Sequence, residues 1–253
     1  MENFIQRYRS ATSQKYDRII TRLSCELTHP KRNQETSLGD LIADILRDSF
    51  GIDLMLMGSG AIRSYALGPV VHYADLVECL PYDDAVYMLK VTGTQLERMI
   101  RHILRDEAFQ GEHTEFYQFS HGTHIVWSRS EQAFRTLTLD GEALYAERLY
   151  TVAVQKYHYN NLKPFLDITL EEVEKNGKIR VLSTSARDVV EEYLTVNQHL
   201  SREVRAAWWW RTEGRSRKSD EFPERISGTE KRKRDGAPCR RRISGGGAVF
   251  GAV

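Results

Sequence analysis

The sequence has few cysteines and no long hydrophobic run, and these two absences exclude several classes of protein. Cys25, Cys79 and Cys239 are the three cysteines among 253 residues. Because they are odd in number and widely spaced, they predict neither a disulfide framework nor a metal-ligand motif, and they favour a reducing compartment. No stretch approaches the roughly 20 apolar residues of a membrane helix, and the polar residues 1–9 lack the apolar core of a signal peptide. We therefore expect a cytoplasmic chain without a membrane partner.

The sequence also lacks a strong net charge. The 36 lysines and arginines nearly balance the 35 acidic residues, which leaves a formal charge of +1. Residues 208–253 depart from this balance, because they are dense in Arg, Lys, Ser and Gly and have no apolar period to bury. Such composition predicts a disordered basic tail. The tail could bind nucleic acid or a partner, but a merely solvated or unrelated segment is the favoured interpretation, so we do not expect a nucleic-acid partner.

The spacing of apolar residues predicts helices and strands that do not alternate strictly. Predicted helices cover residues 37–50, 73–80, 94–104, 168–174 and 185–194, the third with a capping box formed by Thr94 and Glu97. Predicted strands cover residues 19–27, 53–57, 70–73, 84–92, 116–119, 124–128, 135–139, 149–155 and 179–182. This mixture is typical of an α+β fold, an α/β sandwich with helices packed on a mixed sheet.

Three regions follow from these patterns. Residues 1–30 are interpreted as an N-terminal arm or linker, in which residues 5–17 form a weak helix or an extended arm. Residues 31–207 are the folded domain, and residues 208–253 are the tail.

A glycine-rich turn interrupts the apolar run that ends near Met57. Gly58 and Gly60 can adopt backbone angles that are closed to other residues, which would allow a sharp turn. Backbone N–H groups exposed in such a turn form an anion-binding concavity, and Arg63 adds a forked cation suited to phosphate or carboxylate. The stretch alone also fits an ordinary turn that carries a surface arginine.

Four short motifs follow one another in a fixed order. The first comprises Arg32, Glu35, Gly39, Asp40, Leu41 and Asp44. The others are Gly58–Arg63 with its glycine turn, Leu80-Pro81-Tyr82, and a late segment from Tyr150 to Phe165. In this order, over residues 32–200, the chain resembles the C-terminal, substrate-binding domain of the 5′-nucleotidases, which hydrolyse nucleotides and related phosphoesters.

The resemblance implies a role for each matched residue. Arg32 and Arg63 would hold the phosphate or nearby sugar oxygens of a nucleotide, next to the turn at Gly58 and Gly60. Tyr82 and Phe165 would sandwich the base, since two aromatic faces can hold a base whatever its identity. Without the resemblance, packing in the core or in a loop would be the favoured interpretation of both rings.

Two departures from the family pattern bear on this site. Members of the family usually have Asn where this chain has Gly58, and that amide helps to read the base, so base selectivity should be weaker or different here. The usual G-G-D-G before the second aromatic residue is replaced by Asn161-Leu162-Lys163-Pro164. We therefore expect this loop to follow a different path.

The family's enzymes also carry an N-terminal metallophosphoesterase domain with a divalent metal pair, which activates water and stabilises the phosphoryl transition state. The ligand clusters of that domain do not occur in this sequence. His121 and His124 form the nearest candidate, but a predicted strand would place them on opposite faces, without nearby carboxylates. His158 is interpreted as a packed or hydrogen-bonded histidine rather than a base. We therefore predict no catalytic residue and no cofactor in this chain.

Taken together, the residues and the resemblance imply a domain that recognises nucleotides or related phosphoesters. Such a domain would act in nucleotide catabolism only with a metal-bearing catalytic domain or chain. Enzymes of this family are often secreted or periplasmic, which contrasts with the cytoplasmic expectation above. The alternative is a non-catalytic interaction protein whose basic tail contacts nucleic acid or a partner.

Overall fold

In the computed structural model, the described residues are 13–109, 116–128, 130–198 and 200, together with the backbone of residues 208–211. The strands are β1 Ile19–Arg22, β2 Leu27–Thr28, β3 Leu54–Gly58, β4 Ala66–Leu67, β5 Val70–His72, β6 Val86–Thr92, β7 Tyr117–Phe119, β8 Thr123–Ser128, β9 Ala133–Leu139, β10 Glu142–Ala143, β11 Leu149–Gln155, β12 Arg180–Ser183 and β13 Trp208–Arg211. The helices are α1 Ser37–Phe50, α2 Tyr73–Cys79, α3 Gly93–Ile103, α4 Lys156–Tyr159, α5 Leu162–Leu166, α6 Leu170–Asn176 and α7 Ala186–Val196. Two 3₁₀ turns cover Ser59–Ala61 and Asp106–Phe109.

A five-stranded mixed sheet forms the centre, in the order β12-β6-β11-β3-β7. β11 runs parallel to β3 and antiparallel to β6. Alternate residues of the central strands face opposite sides, as the pleat requires: Met55 and Met57 enter one core with α1 and α7, whereas Leu54 and Leu56 enter the other with α3, α5 and α6. Helices therefore cover both faces, which confirms the predicted α/β sandwich with a mixed sheet.

A smaller sheet packs beside the central one, in the order β10-β9-β8-β13. The predicted hairpin turn joins β9 to β10, where Asp140 and Gly141 both have positive φ angles, of 52° and 84°. Such angles are typical of a two-residue hairpin turn. β13 is formed by the first residues of the predicted tail, and its backbone pairs parallel to β8. Residues 212–253 lie outside the described residues.

Helix α1 agrees with its prediction at both ends. Thr36 is its N-cap and accepts a hydrogen bond from the N–H of Gly39, and Gly51 closes it in a left-handed conformation with φ 60°. The capping box of α3 differs from the prediction. Thr92 and Gln95 form it, because the helix begins at Gly93, directly after β6. Glu97 instead forms an ion pair with Arg101 at 2.7 Å, one turn later in the helix.

Residues 13–28 lie within the predicted arm. Residues 13–16 form a helical turn, and residues 1–12 lie outside the described residues. The predicted strand 19–27 is divided into β1, which pairs with β5, and β2, which pairs with β4. The division occurs because the N–H groups of Leu23 and Ser24 bond instead to the carbonyls of Pro69 and Leu200. Ile20, Leu23 and Leu27 contribute to the core beneath α1.

Two further expectations concern the membrane and the cysteines. No helix in the described part of the chain is long and apolar enough to cross a membrane. Cys79 is buried with a free thiol.

Candidate functional site

A cleft opens at one edge of the central sheet, and the topology explains its position. Because β3 and β11 are parallel, their carboxyl ends meet at the same edge, and the antiparallel β6 begins there, with Val86 opposite Gln155. Ligand sites in sheets of this kind commonly lie outside the carboxyl ends of parallel strands. The cleft has a volume of about 600 Å³ and is lined by Arg32, Gly60, Ala61, Arg63, Tyr82, Asp84, Gln155, Lys156, Tyr157, His158 and Asn160.

The structure brings together four of the six residues selected from the sequence. Arg32, Gly60, Arg63 and Tyr82 line the cleft, although 50 positions separate the first from the last of them. Gly58 and Phe165 do not belong to the lining. The structure shows where these six residues lie, and the roles assigned to them stay predictions.

The turn between β3 and Arg63 differs from the predicted one. Gly58 is the last residue of β3, with an extended φ of −62°, and residues 59–61 form a 3₁₀ turn. Neither Gly58 nor Gly60 has a positive φ angle. The N–H groups of Gly58 and Ser59 donate to Gln155 Oε1 and to the Phe116 carbonyl, at 3.2 and 2.8 Å. The prediction that these two N–H groups form an anion-binding concavity is therefore wrong, because both donate hydrogen bonds to acceptors within the protein.

Arg63 and Tyr82 form a pair at the mouth of the cleft. Arg63 Nη2 donates to the Tyr82 hydroxyl at 3.1 Å, and Nη1 donates to the Gly60 carbonyl at 3.4 Å. The guanidinium carbon lies 5.3 Å from the centroid of the Tyr82 ring, a distance typical of a cation–π contact. Tyr82 nevertheless remains 52% exposed. The pair is held in place and still offers N–H groups and a ring face to a ligand.

Phe165 occupies a different position from the one the resemblance implies. The segment that precedes it is helical rather than a loop, since α4 and α5 follow each other closely, and Phe165 is half-buried on α5. Its ring packs against Tyr157, with centroids 5.5 Å apart. Tyr157 is 54% exposed and lines the cleft. The exposed aromatic face on this side therefore belongs to Tyr157, which the sequence analysis did not select.

His158 lies beneath Tyr157 and is buried. Its ring centroid is 4.8 Å from that of Tyr117 and 5.6 Å from that of Phe165. Burial lowers the pKa of His158 to about 4, because charging an imidazole among aromatic rings costs solvation energy. The side chain is therefore neutral at pH 7 and acts as part of the packing, as predicted.

This burial should make the stability of the fold depend on pH. The unfolded chain takes up a proton at His158 near the ordinary pKa of 6.5, whereas the folded chain does so only near 4. The stabilisation is present above pH 6.5 and is lost as the pH falls towards 4, by up to about 3 kcal/mol. Urea unfolding at pH 7 and pH 5 should show a smaller difference for His158→Leu than for the unaltered protein. Exposed His124 is the control, and an equal reduction in His124→Leu would contradict the assignment.

The charges in the cleft are mostly positive. Arg32, Arg63 and Lys156 contribute cations, and Asp84 is the acidic member of the lining. Burial raises the pKa of Asp84, the nearby Lys156 opposes this effect, and Asp83 adds to it. An anion entering the cleft therefore meets three cations and one carboxylate. Sequence reasoning missed Lys156 and Asp84 because only the strand pairing brings them into the same cleft as Arg63.

A buried polar network joins the loop that follows Arg32 to the turn that precedes Arg63. Gln118, on β7, is fully buried. Its Oε1 accepts from the Thr36 N–H at 2.8 Å, and its Nε2 donates to the Gln34 carbonyl at 2.9 Å and to the Ser59 hydroxyl. Gly39 makes room for this side chain, since a Cβ there would lie 2.4 Å from Gln118 Cγ. This contact explains why a glycine suits that position of the first motif.

His29 reinforces the same network. Its Nε2 lies 3.1 Å from the Ser59 carbonyl, and its Nδ1 lies 2.8 Å from Thr36 Oγ1. Because a carbonyl can only accept, Nε2 carries the proton and Nδ1 accepts from the hydroxyl. Burial lowers the pKa of His29, against the opposing effect of the bond to Ser59. The two arginine-bearing loops are thus held together by neutral groups.

His121 lies in a different environment from the one expected. Its N–H donates to Asp44 Oδ1 at 2.5 Å, and its ring lies between Arg47 and Asp48, with Nε2 2.6 Å from Asp48 Oδ1. The expectation that no carboxylate lies nearby is therefore wrong, because α1 passes beside the turn before β8. Within the described residues, no cluster of three or more His, Cys, Asp or Glu side chains could hold a metal ion.

Comparison with known proteins identifies the family. The model of the 5′-nucleotidase C-terminal domain matches residues 13–166. This match covers more than half of the chain, and the chain belongs to that family. No curated protein sequence matches the chain significantly.

Solved structures show the same fold at low sequence identity. A 5′-nucleotidase precursor from Thermus thermophilus is 17% identical with a TM-score of 0.66, over 84% of this chain and 43% of that one. The Haemophilus influenzae NAD nucleotidase is 13% identical with a TM-score of 0.63, over 83% and 40% of the two chains. A putative 5′-nucleotidase from Staphylococcus aureus, in complex with alpha-ketoglutarate, is 14% identical with a TM-score of 0.61, over 81% and 43%. The chain thus spans about two fifths of the length of these proteins.

Proposed function

We propose that this chain is the substrate-recognition domain of a 5′-nucleotidase-type hydrolase and that it binds nucleotides or related phosphoesters. The observation that supports this proposal is a single cleft in which Arg32, Arg63 and Lys156 accompany the exposed rings of Tyr82 and Tyr157. A nucleotide combines the same two chemistries, a phosphate and a flat base.

Each part of the cleft matches one part of a nucleotide. Guanidinium groups donate two parallel hydrogen bonds to phosphate oxygens, and Lys156 adds a point charge. Exposed aromatic rings can stack on a base, and each stack contributes about 1–3 kcal/mol whatever the base. Tyr157 takes the second stacking role in this proposal, because Phe165 packs behind it at 5.5 Å.

Hydrolysis is proposed to need a second component. A divalent metal pair in a separate domain or chain would activate the attacking water and stabilise the phosphoryl group. The residues described here would bind and orient the ester.

Calorimetric titration of the purified chain tests the proposal. We expect AMP to bind at least about tenfold more tightly than either adenosine or inorganic phosphate, because only AMP uses both the aromatic rings and the cations. Equal affinity for AMP and adenosine would contradict the phosphate role of the cleft. Binding of single-stranded DNA with a steep salt dependence, in place of AMP binding, would favour the interaction protein with a basic tail.

A further inference from the structure

We propose that Gln155 determines base specificity in the cleft: its amide is held so that only N–H donors face the ligand, and these donors bind an acceptor atom of the base. The inference rests on the proposed function and deepens it. It identifies a residue that distinguishes one base from another, which stacking between Tyr82 and Tyr157 cannot do.

The position of Gln155 is the first argument. It is the last residue of β11, it is only 2% exposed, and it lines the cleft. A buried amide at the floor of a binding cleft is costly unless its polar atoms find partners. Gln155 has one such partner inside the protein, and a ligand in the cleft would supply the other.

The partner inside the protein fixes the orientation of the amide. The N–H of Gly58 lies 3.2 Å from Gln155 Oε1. A backbone N–H can only donate, so the atom that faces it must be the oxygen. Turning the amide over would place its NH₂ group against this N–H and would lose the bond. Gly58 thereby holds the oxygen inward, although Gly58 itself does not line the cleft.

The nitrogen of the amide is left for the ligand. Among the described residues, none accepts a hydrogen bond from Gln155 Nε2, and this atom is not sealed within the core. The cleft therefore presents two N–H donors at a fixed place and no acceptor from this side chain. Uracil and hypoxanthine carry carbonyl oxygens that such donors can bind, whereas ribose 5-phosphate has no base to offer.

Gln155→Glu isolates the donors with little change of shape. The glutamate keeps one oxygen for the Gly58 N–H and replaces the NH₂ group with a second oxygen. We expect the affinity for UMP to fall about tenfold or more, since a buried acceptor facing an acceptor loses a hydrogen bond and leaves both groups unpaired. The affinity for ribose 5-phosphate should change by much less. The measured quantity is therefore the dissociation constant of ribose 5-phosphate divided by that of UMP, and this ratio should fall.

Two further variants keep the experiment independent of charge and of folding. Gln155→Met has a similar length, no charge and no donor, and it should reduce the same ratio. Gln198→Glu adds the same charge on an exposed helix end and should leave the ratio unchanged. Circular dichroism and thermal melting establish that each variant is folded before it is titrated.

The outcomes separate this inference from the proposed function. If the unaltered chain binds UMP more tightly than ribose 5-phosphate and the Gln155 variants keep that ratio, the inference is overturned and the proposed function stands. If the variants lose both ligands equally, Gln155 acts on the shape of the cleft, and the inference is again overturned. If the unaltered chain binds neither ligand, both proposals fail.

Discussion

Replacing Arg63 with alanine is expected to weaken AMP binding by about 10- to 100-fold, because the cleft loses charge-assisted hydrogen bonds to the phosphate. The substitution also removes the 3.1 Å bond that holds the Tyr82 hydroxyl. Tyr82 would then be freer to move, which adds to the loss. Calorimetric titration at low salt is the suitable measurement, since screening weakens contacts between exposed charges and phosphate.

Two controls define the result for Arg63. Arg135→Ala removes an arginine that is paired with Glu131, outside the cleft, and should leave AMP binding unchanged. Arg63→Lys keeps the charge but not the forked geometry, so its affinity should fall between those of the unaltered chain and Arg63→Ala. Equal losses of adenosine and AMP binding in Arg63→Ala would show that the arginine acts on the base or on the fold rather than on the phosphate.

Gln118→Leu should destabilise the fold by about 3–5 kcal/mol, because the change leaves several buried polar groups without partners. The Thr36 N–H, the Gln34 carbonyl and the Ser59 hydroxyl all bond to this one side chain. Urea unfolding measures the change in the free energy of unfolding. AMP affinity should fall in the folded protein as well, because the loops that carry Arg32 and Arg63 lose one of their two shared attachments and keep only that through His29.

The exposed Gln198 provides the matched control for Gln118. Its Nε2 donates to the carbonyls of Ile20 and Thr195 at 2.6 and 2.8 Å, and its side chain is exposed to solvent. Gln198→Leu should therefore change stability by less than about 1 kcal/mol. A similarly small effect of Gln118→Leu would contradict the view that the network fastens the two loops.

The sequence predicted the regular elements well wherever local signals agreed with one another. Helix α1 has an apolar stripe followed by a closing glycine, and it covers the predicted residues 37–50. The prediction was weaker where two local signals competed. Thr92 and Thr94 could each cap α3, and the choice depended on where β6 ends, which is set by its pairing with β11.

Only part of the candidate site could be predicted, because its residues come from segments that lie far apart in the chain. The motif order identified Arg32, Arg63 and Tyr82, which do line one cleft. It favoured Phe165 over Tyr157, because the conformation of the segment between them was not apparent from the sequence. Gln155 lies inside the late segment but was not selected from it, and its contact with Gly58, 97 positions earlier in the chain, is visible only in the structure.

The central position of β11 also determines when the cleft can form as the protein folds. This strand joins β3 to β6, although it follows them in the chain by many tens of residues. Pairings between such distant segments close large loops and tend to form slowly. During synthesis the ribosome must release the chain beyond residue 160 before Arg63 and Tyr82 can meet Gln155 and Tyr157. Until then only the half of the cleft that carries Arg63 and Tyr82 is present, and a nascent chain that stops before β11 lacks the other half of the site.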